Sequence, residues 1–191
     1  MDITGLTGHS GSGKTTVAKI MSELGFYHID CDKTVHKVYT NKDVLNRIAS
    51  EFGNDYLIDG NLNRKKLGAL VFSDEKAYQK LMSLIHDDII NAIEAEIISN
   101  SDKHILLDAP TLFEFGMQGR CDRIVGVISS NTIERICKRD DISEKEAKAR
   151  LENQNSTDFF KKNCDIIIEN DGDLESLRKN VTKIATKILK G

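Results

Sequence analysis

One stretch near the start of the chain decides the fold: Gly8-His9-Ser10-Gly11-Ser12-Gly13-Lys14-Thr15-Thr16. It has the spacing G-x-x-x-x-G-K-[ST] that is typical of a phosphate-binding loop. The apolar residues 3–7 before it predict a strand, and the residues after it predict a helix, because apolar side chains recur there at i, i+3, i+4 and i+7. These side chains are Val17, Ile20, Met21 and Leu24. The strand–loop–helix context makes the motif more than a chance match of letters.

The residue types of this loop suit a polyphosphate. Glycines lack a Cβ, so the backbone can take positive φ and approach phosphate closely, while successive N–H groups and the helix N-terminus attract the anion. Lys14 is expected to contact the β- and γ-phosphates as a point charge, and the Thr15 hydroxyl to ligate Mg²⁺. The alternative is a Gly/Ser-rich turn that ends by chance in Lys-Thr. The residues predicted to bind ATP are Gly8, Gly11, Ser12, Gly13, Lys14, Thr15 and Thr16.

Composition limits the class of protein. A chain of 191 residues suffices for one α/β domain with insertions but is short for two independent cores. The net charge of −3 gives no strong basic field, so no nucleic-acid partner is expected. No apolar run approaches the roughly 18 residues of a membrane span. The first residues enter a strand directly, so no cleaved signal peptide is expected, and the sequence predicts a cytoplasmic enzyme with no membrane partner.

The cysteines indicate reduced thiols. They are scattered, form no C-x-x-C pair and have no histidine at ligand spacing, which argues against a zinc site or a disulfide framework. Their positions are Cys31, Cys121, Cys137 and Cys164.

Two aspartates follow the second predicted strand, which covers residues 26–29. Asp30 and Asp32 would lie on the same side of an extended backbone, at the strand end that faces a ligand crevice. One carboxylate could orient or deprotonate an attacking hydroxyl, and the other could hold magnesium through water. The alternative for Asp32 is the N-cap of a helix over residues 33–39.

Residues 43–99 have a helical pattern interrupted by a turn at 58–61. This is more helix than one crossover between parallel strands requires, so it predicts an inserted helical subdomain, the usual place for an acceptor substrate. Within it, Arg64 and His86 are polar groups beside apolar stretches. Residues of these types are more often a surface cation or a hydrogen-bonded imidazole than a ligand.

A third apolar strand, residues 104–108, ends in Asp108. An aspartate at this position is typical of a second phosphate-site element, with the carboxylate near the metal and Thr15. The alternative is a strand that merely stops at a polar residue. Pro110 follows and stiffens the turn.

After a strand at 124–128, two capping signals predict two short helices. Asn131 is followed by Glu134, and Ser143 by Glu146, which is the spacing of a capping box.

Basic residues on these two helices predict a lid over triphosphate. Arg135 and Arg139 are four residues apart and therefore share a face, and the second helix is expected to carry Arg150 and Gln154. Guanidinium groups there could neutralise the transferring phosphoryl group and exclude water. A solvated charged face is the alternative.

A last strand over 164–169 and a closing amphipathic helix from Leu174 to Leu189 complete the pattern. The sequence thus predicts an α/β fold, a P-loop NTPase-type three-layer sandwich with a parallel central sheet. Residues 1–32, 104–130 and 164–191 would form the nucleotide-binding core, 33–103 the acceptor domain and 131–163 the lid.

Later motifs, in their order and spacing, resemble the dephospho-CoA kinase family from the N-terminus to about Asn170. They are Asp30-Cys31-Asp32, Asn63-Arg64, Leu84-Ile85-His86, Asp108-Ala109-Pro110-Thr111-Leu112-Phe113-Glu114, Arg139-Asp140-Asp141 and Asn153-Gln154.

The resemblance implies transfer of the γ-phosphate of ATP to the ribose 3′-hydroxyl of dephospho-CoA, with Mg²⁺ as cofactor. It also implies residue roles. Asp32 would face the ribose hydroxyl as the catalytic carboxylate, and Arg64 and His86 would lie in the acceptor domain. Arg139 would be the lid arginine near the phosphates, and Asn170 would lie near the adenine.

The sequence departs from this family at three places. His9-Ser10 stands where the family usually has Gly-Ile, which should alter loop packing but not the phosphate-facing N–H groups. Asp87 replaces the proline that usually follows His86, and Thr111 replaces a leucine, which could change the acceptor pocket slightly. None of these changes removes a group that the chemistry requires.

Two other classes share the loop. A nucleoside monophosphate or shikimate kinase would differ in the acceptor domain. A GTPase-type switch would need an N-K-x-D element after a late strand, whereas the single Asn-Lys of this sequence, Asn41-Lys42, is early and is followed at once by Asp43.

Overall fold

The structure is a computed structural model, and it describes residues 2–190. The chain forms two compact units. The first runs to Asp30 and resumes at Asn100, and the second is Cys31–Ser99. The strands are β1 (Asp2–Gly8), β2 (Tyr27–Asp30), β3 (Leu57–Ile58), β4 (Asn61–Leu62), β5 (His104–Asp108), β6 (Arg123–Ile128) and β7 (Ile166–Glu169). The α-helices are α1 (Lys14–Glu23), α2 (Cys31–Val38), α3 (Lys42–Phe52), α4 (Arg64–Ser73), α5 (Glu75–Ser99), α6 (Thr132–Asp140), α7 (Glu144–Glu152), α8 (Thr157–Asn163) and α9 (Leu174–Leu189). Short 3₁₀ turns cover Asn54–Tyr56 and Met117–Arg120.

A five-stranded parallel sheet organises the first unit, in the order β2-β5-β1-β6-β7, with helices on both faces. The predicted parallel α/β sheet is therefore confirmed. All five strands end at the same edge of the sheet, and the loop that follows the central strand β1 lies at that edge. In open parallel sheets this edge is where ligands bind.

One apolar cluster fixes α1 against the sheet. Leu6 and Val125, fully buried, pack with the buried faces of α1 and α9. Burying one large aliphatic side chain contributes about 1.5–3 kcal/mol, so the start of α1 is held firmly behind the phosphate loop.

The second unit is helical, with one hairpin. Asp59 and Gly60 have φ of 50° and 75° between β3 and β4, the backbone that a two-residue Asp-Gly hairpin turn requires. Asp74 caps α5 through its carboxylate, which accepts hydrogen bonds from the N–H groups of Lys76 and Ala77. The predicted helical content and the turn at 58–61 are confirmed.

The backbone around Asp32 differs from the prediction. β2 ends at Asp30 and α2 begins at the next residue, so Asp32 is in the first turn of a helix. The expectation that Asp30 and Asp32 share one side of an extended strand is wrong, and so is the alternative that Asp32 precedes the helix as its cap. The strand passes into the helix without a loop, and a period-2 pattern cannot extend across that change.

Three further details differ from the prediction. β7 begins at Ile166 rather than at residue 164. Just before it, Asp165 bonds Ile124 twice: its N–H donates to the Ile124 carbonyl, and its carboxylate accepts from the Ile124 N–H. Asn131 is the N-cap residue of α6, but its side chain makes no capping hydrogen bond. Gln154 lies in the turn after α7 rather than on that helix. The capping box of Ser143 and Glu146 is confirmed.

Candidate active site

The phosphate loop requires glycine where its backbone is crowded. Gly8 has φ of 148° and Gly13 has φ of 94°, a region that L side chains rarely adopt. A Cβ on Gly8 would lie 2.2 Å from the carbonyl oxygen of Val127, and one on Gly13 would lie 2.1 Å from Nδ2 of Asn170. Val127 on β6 and Asn170 just after β7 therefore leave no room for a side chain at Gly8 and Gly13.

Two side chains hold the loop from outside. Nδ2 of Asn170 donates to the carbonyl of Ser12 at 2.8 Å, and Nη2 of Arg135 donates to the carbonyl of Asn170 at 2.9 Å. Nη1 of Arg135 is 3.5 Å from the same Ser12 carbonyl. Asn170 is 7% exposed, so this support is buried. The structural contact of Asn170 is with the loop backbone, and its role at the adenine stays a prediction.

Ser12 also carries an unused polar atom. Its Oγ is buried and has no hydrogen-bond partner among the residues that the structure describes. A buried hydroxyl without a partner costs roughly 1–3 kcal/mol. A phosphate oxygen in the loop would remove that cost, so the residues present fit a bound polyphosphate.

The side chains of Lys14, Asp108 and His28 meet at the carboxyl edge of the sheet. Nζ of Lys14 donates to Oδ1 of Asp108, and Nε2 of His28 lies 3.0 Å from Oδ2 of the same carboxylate. The Lys14 and Asp108 side chains are 14% and 7% exposed. Asp108 thus neutralises the charge of Lys14 at a place where both side chains are largely buried.

His28 was missed at the sequence level. It precedes Asp30 on β2, and only the strand order, which places β2 beside β5, brings it to Asp108. A local sequence pattern does not give the order of parallel strands. A histidine two residues before a strand-end aspartate was the signal available.

Arg139 lies at the loop, in a network of charges. Its Nη2 donates to Oγ of Ser10 at 3.1 Å, and its Nε donates to Asp140 at 2.7 Å. Arg150 also donates to Asp140. The hydrogen bond from Arg139, followed by that from Arg150, holds the pKa of Asp140 well below its usual range, and Asp140 in turn raises the pKa of Arg139. The side chain of Arg139 is 57% exposed, so it is open to an anionic ligand.

The remaining candidates belong to the second unit. Asp32 is exposed in the first turn of α2, and His86 is exposed on α5, with Nδ1 3.4 Å from Asp87. Nη2 of Arg64, exposed at the start of α4, forms a hydrogen bond with Nε2 of His36. Their roles toward a substrate stay predictions.

Two features of residues 2–190 bear on the class of protein. No helix within residues 2–190 is long and apolar enough to cross a membrane. In the same part of the chain, no cluster of three or more His, Cys, Asp or Glu side chains is suited to hold a metal ion by itself.

The glycine-rich loop follows the central strand of a parallel sheet, and Lys14 and Arg139 lie at it. This arrangement is that of a P-loop kinase. The model of the dephospho-CoA kinase family matches residues 2–176. This chain belongs to the dephospho-CoA kinase family, whose members use ATP to phosphorylate dephospho-CoA in coenzyme A synthesis.

Individual relatives agree with the family match. The dephospho-CoA kinase of Fusobacterium nucleatum subsp. nucleatum is 39% identical over 97% of this chain and 98% of its own length. The structure of dephospho-CoA kinase from Campylobacter jejuni superposes with a TM-score of 0.75 at 29% identity, covering 99% of this chain and 98% of that one. A Thermus thermophilus protein gives a TM-score of 0.83 at 29% identity, with 97% of each chain covered. The resemblance seen in the sequence is confirmed, and the alternative kinases and the GTPase are not favoured.

Proposed function

We propose that this chain transfers the γ-phosphoryl group of ATP to the 3′-hydroxyl of the ribose of dephospho-CoA. The observation that carries this proposal is the Lys14–Asp108 pair at the mouth of a phosphate loop, in a chain of this family. The reaction is expected to proceed in line through a loose transition state, which a protein accelerates by positioning and charge neutralisation.

ATP is proposed to bind with its phosphates in the loop. The N–H groups of residues 11–16 would surround the β- and γ-phosphates, and Lys14 would exchange Asp108 for phosphate oxygens. The supporting observations are the crowded glycines, the Ser12 hydroxyl, which has no hydrogen-bond partner within residues 2–190, and the first turn of α1, where Thr15 is exposed. Asn170 is proposed to support the loop as well as to border the adenine.

Mg²⁺ is proposed to be held by the Thr15 hydroxyl and, through water, by Asp108. A site of few protein ligands suits this ion, which keeps several waters and takes phosphate oxygens. The donor set fits, because Asp108 is a carboxylate beside the loop and Thr15 is exposed in the first turn of α1. When bound, the ion supplies charge that bridges the β- and γ-phosphates.

The acceptor side is assigned by the family resemblance. Asp32 is proposed to orient or deprotonate the 3′-hydroxyl, and residues 33–103 to bind dephospho-CoA, with Arg64 and His86 among the contacts. Residues 131–163 are proposed to act as a lid that brings Arg139 to the transferring group. The contact of Arg139 with Ser10 in the loop supports this role.

The enzyme is proposed to work in the cytoplasm, where ATP is available, and without a nucleic-acid partner. The net charge of −3 supports the second point, and the free cysteines fit a reducing compartment.

A coupled assay of ADP release tests the proposal. With Mg²⁺ and ATP, dephospho-CoA is expected to be turned over, whereas shikimate, AMP and CMP are not. Lys14→Ala is expected to reduce kcat by about a thousandfold or more, since it removes a charge that acts on the transferring phosphoryl group. Turnover of another acceptor in preference to dephospho-CoA would refute the proposed substrate.

A further inference from the structure

His9, the second residue of the phosphate loop, reaches outside the loop. Its Nε2 lies 2.7 Å from the carbonyl oxygen of Asn155, in the turn between α7 and α8. A carbonyl only accepts, so the hydrogen is on Nε2 and the tautomer of the ring is fixed. Burial lowers the pKa of His9, and the bond to Asn155 opposes that effect, which together leave a neutral ring at neutral pH.

The same ring is packed as well as hydrogen-bonded. It meets the ring of Phe160 edge-on, with centroids 4.9 Å apart and planes at 87°. Phe160 is 2% exposed, and Phe159 beside it contacts Phe113 at 5.0 Å in the same geometry. Edge-to-face ring pairs of this kind stabilise a structure beyond the contribution of the apolar area that they bury. His9 is therefore seated against an aromatic group that belongs to the core rather than to a mobile surface.

The turn that His9 contacts is itself fixed. Nδ2 of Asn155 donates to Oε1 of Glu114 at 2.8 Å, and Ser156 caps α8 by accepting from the N–H of Phe159 at 3.1 Å. The loop makes a second contact there, because the N–H of Ser10 donates to Oε1 of Gln154 at 2.9 Å. These contacts hold the turn of residues 154–155, which lies within the proposed lid of residues 131–163, to Glu114 and to the phosphate loop. The turn can therefore serve as the fixed base of the lid and as an anchor for the loop.

We propose that His9 is a positioning residue that docks the phosphate loop onto the turn of residues 154–155 and so holds the loop ready for ATP. This inference rests on the proposed function for its relevance to catalysis. A loop that is ordered before binding spares the nucleotide the cost of ordering it. When that order is lost, the apparent affinity falls by the fraction of loops that remain competent.

Two variants of His9 separate the effect of its hydrogen bond from that of its packing, and a third variant is the control. His9→Phe keeps a ring for Phe160 but loses the donor to Asn155. His9→Gln keeps an N–H donor at the reach of Nε2. His104→Phe is the matched control, because His104 begins β5 at the edge of the sheet away from the phosphate loop. Thermal unfolding of each variant verifies that it is folded.

Direct binding of a methylanthraniloyl derivative of ATP with Mg²⁺ is the main measurement. His9→Phe is expected to raise Kd about fivefold, the size of one net hydrogen bond, while His9→Gln and His104→Phe stay within about twofold of the unmodified chain. In the kinase assay, KM for ATP should rise by the same factor, with KM for dephospho-CoA unchanged. A variant that only lost stability would show fewer active sites at unchanged Kd.

An unchanged Kd in His9→Phe, or an equal loss in His9→Gln, overturns the inference. If His9→Phe does not fold, His9→Leu replaces it with the same expected loss of affinity. Failure of the proposed function would appear separately, as absence of turnover with dephospho-CoA, while the binding comparison would still decide the role of His9.

Discussion

The ammonium group of Lys14 is bonded to the carboxylate of Asp108, on the strand that lies directly beside the one leading into the phosphate loop. The two charges are mostly buried, so each is costly to leave without a partner. ATP must therefore compete with Asp108 for the lysine. If Lys14 turns to the phosphates as proposed, the Asp108 carboxylate would be free to hold the proposed Mg²⁺ through water.

Asp108→Asn should separate the competition of Asp108 for Lys14 from the proposed role of its carboxylate at Mg²⁺. Without the competing carboxylate, Lys14 is more available to phosphate, so ATP without Mg²⁺ is expected to bind more tightly. With Mg²⁺, kcat is expected to fall about a hundredfold, because the carboxylate proposed to hold the ion through water is lost. Titration calorimetry without metal and steady-state kinetics with it measure the two quantities.

Asp55→Asn is the control for Asp108→Asn, since its carboxylate is 88% exposed in the second unit. It should alter neither quantity. A kcat of Asp108→Asn within about threefold of the unmodified chain would remove Asp108 from the metal site.

Asp32→Asn tests the acceptor carboxylate. The variant keeps the shape of the side chain but is a poor base, so kcat is expected to fall by about 10²–10⁴. Kd for ATP should stay unchanged, because the phosphate loop is intact. Rapid-quench single-turnover measurements show whether the chemical step is what slows. Near-normal turnover would assign the base role to another residue.

Arg139→Lys tests the geometry of the arginine on the proposed lid. Lysine keeps the charge but cannot bond Ser10 and Asp140 at once, as the fork of Arg139 does. We expect kcat to fall about tenfold with Lys and by about a hundredfold or more with Ala. Lys138→Ala, an exposed neighbour on α6, is the control. Equal kinetics for Arg139→Ala and Lys138→Ala would show that Arg139 is only part of a charged surface.

The thiols of Cys121 and Cys164 should resist alkylation in the folded protein. Burial, with a smaller contribution from the adjacent aspartates, raises the pKa of Cys121 to about 12 and that of Cys164 to about 11. The thiolate is the reactive form, so it is scarce at neutral pH. Peptide mapping after N-ethylmaleimide should find both unmodified in native protein and modified in urea. Rapid labelling of the native chain would contradict the packing of Cys121 against Gly5.

Sequence periodicity predicted the sheet and the helices because each strand and helix carries its own apolar pattern. The loop motif likewise predicted the glycine-rich turn and the helix that begins at Lys14, since the required residues are contiguous. The error at Asp32 arose where a strand passes directly into a helix, because no turn residue marks that change.

Contacts that depend on strand order or on distant turns were beyond the sequence. His28 reaches Asp108 across 80 positions of the chain, and His9 reaches Asn155 across 146. Neither partner can be identified from spacing. The loop histidine could be noticed as unusual, but its partner is set only when the turn between α7 and α8 folds beside the phosphate loop.

The buried imidazole of His9 should leave a signature in the pH dependence of stability. Burial places its native pKa below the ordinary value of 6.5 that applies to the unfolded chain. Between these two values the unfolded state binds more protons, so the free energy of unfolding rises with pH. The contribution is complete above pH 6.5 and is lost as the pH falls through the native pKa. Protonation of His9 should therefore lower the free energy of unfolding as the pH falls below 6.5.

His9→Gln removes the titrating ring and keeps the donor to Asn155, so its stability should depend less steeply on pH over this window. Urea unfolding at about pH 5 and at about pH 7.5 brackets the transition of an imidazole. The quantity to compare is the difference between the two pH values, within each protein, because other groups titrate equally in both. His104→Gln provides the reference for loss of a histidine elsewhere. Equal differences in the unmodified chain and in His9→Gln would show that His9 is not held neutral by its surroundings.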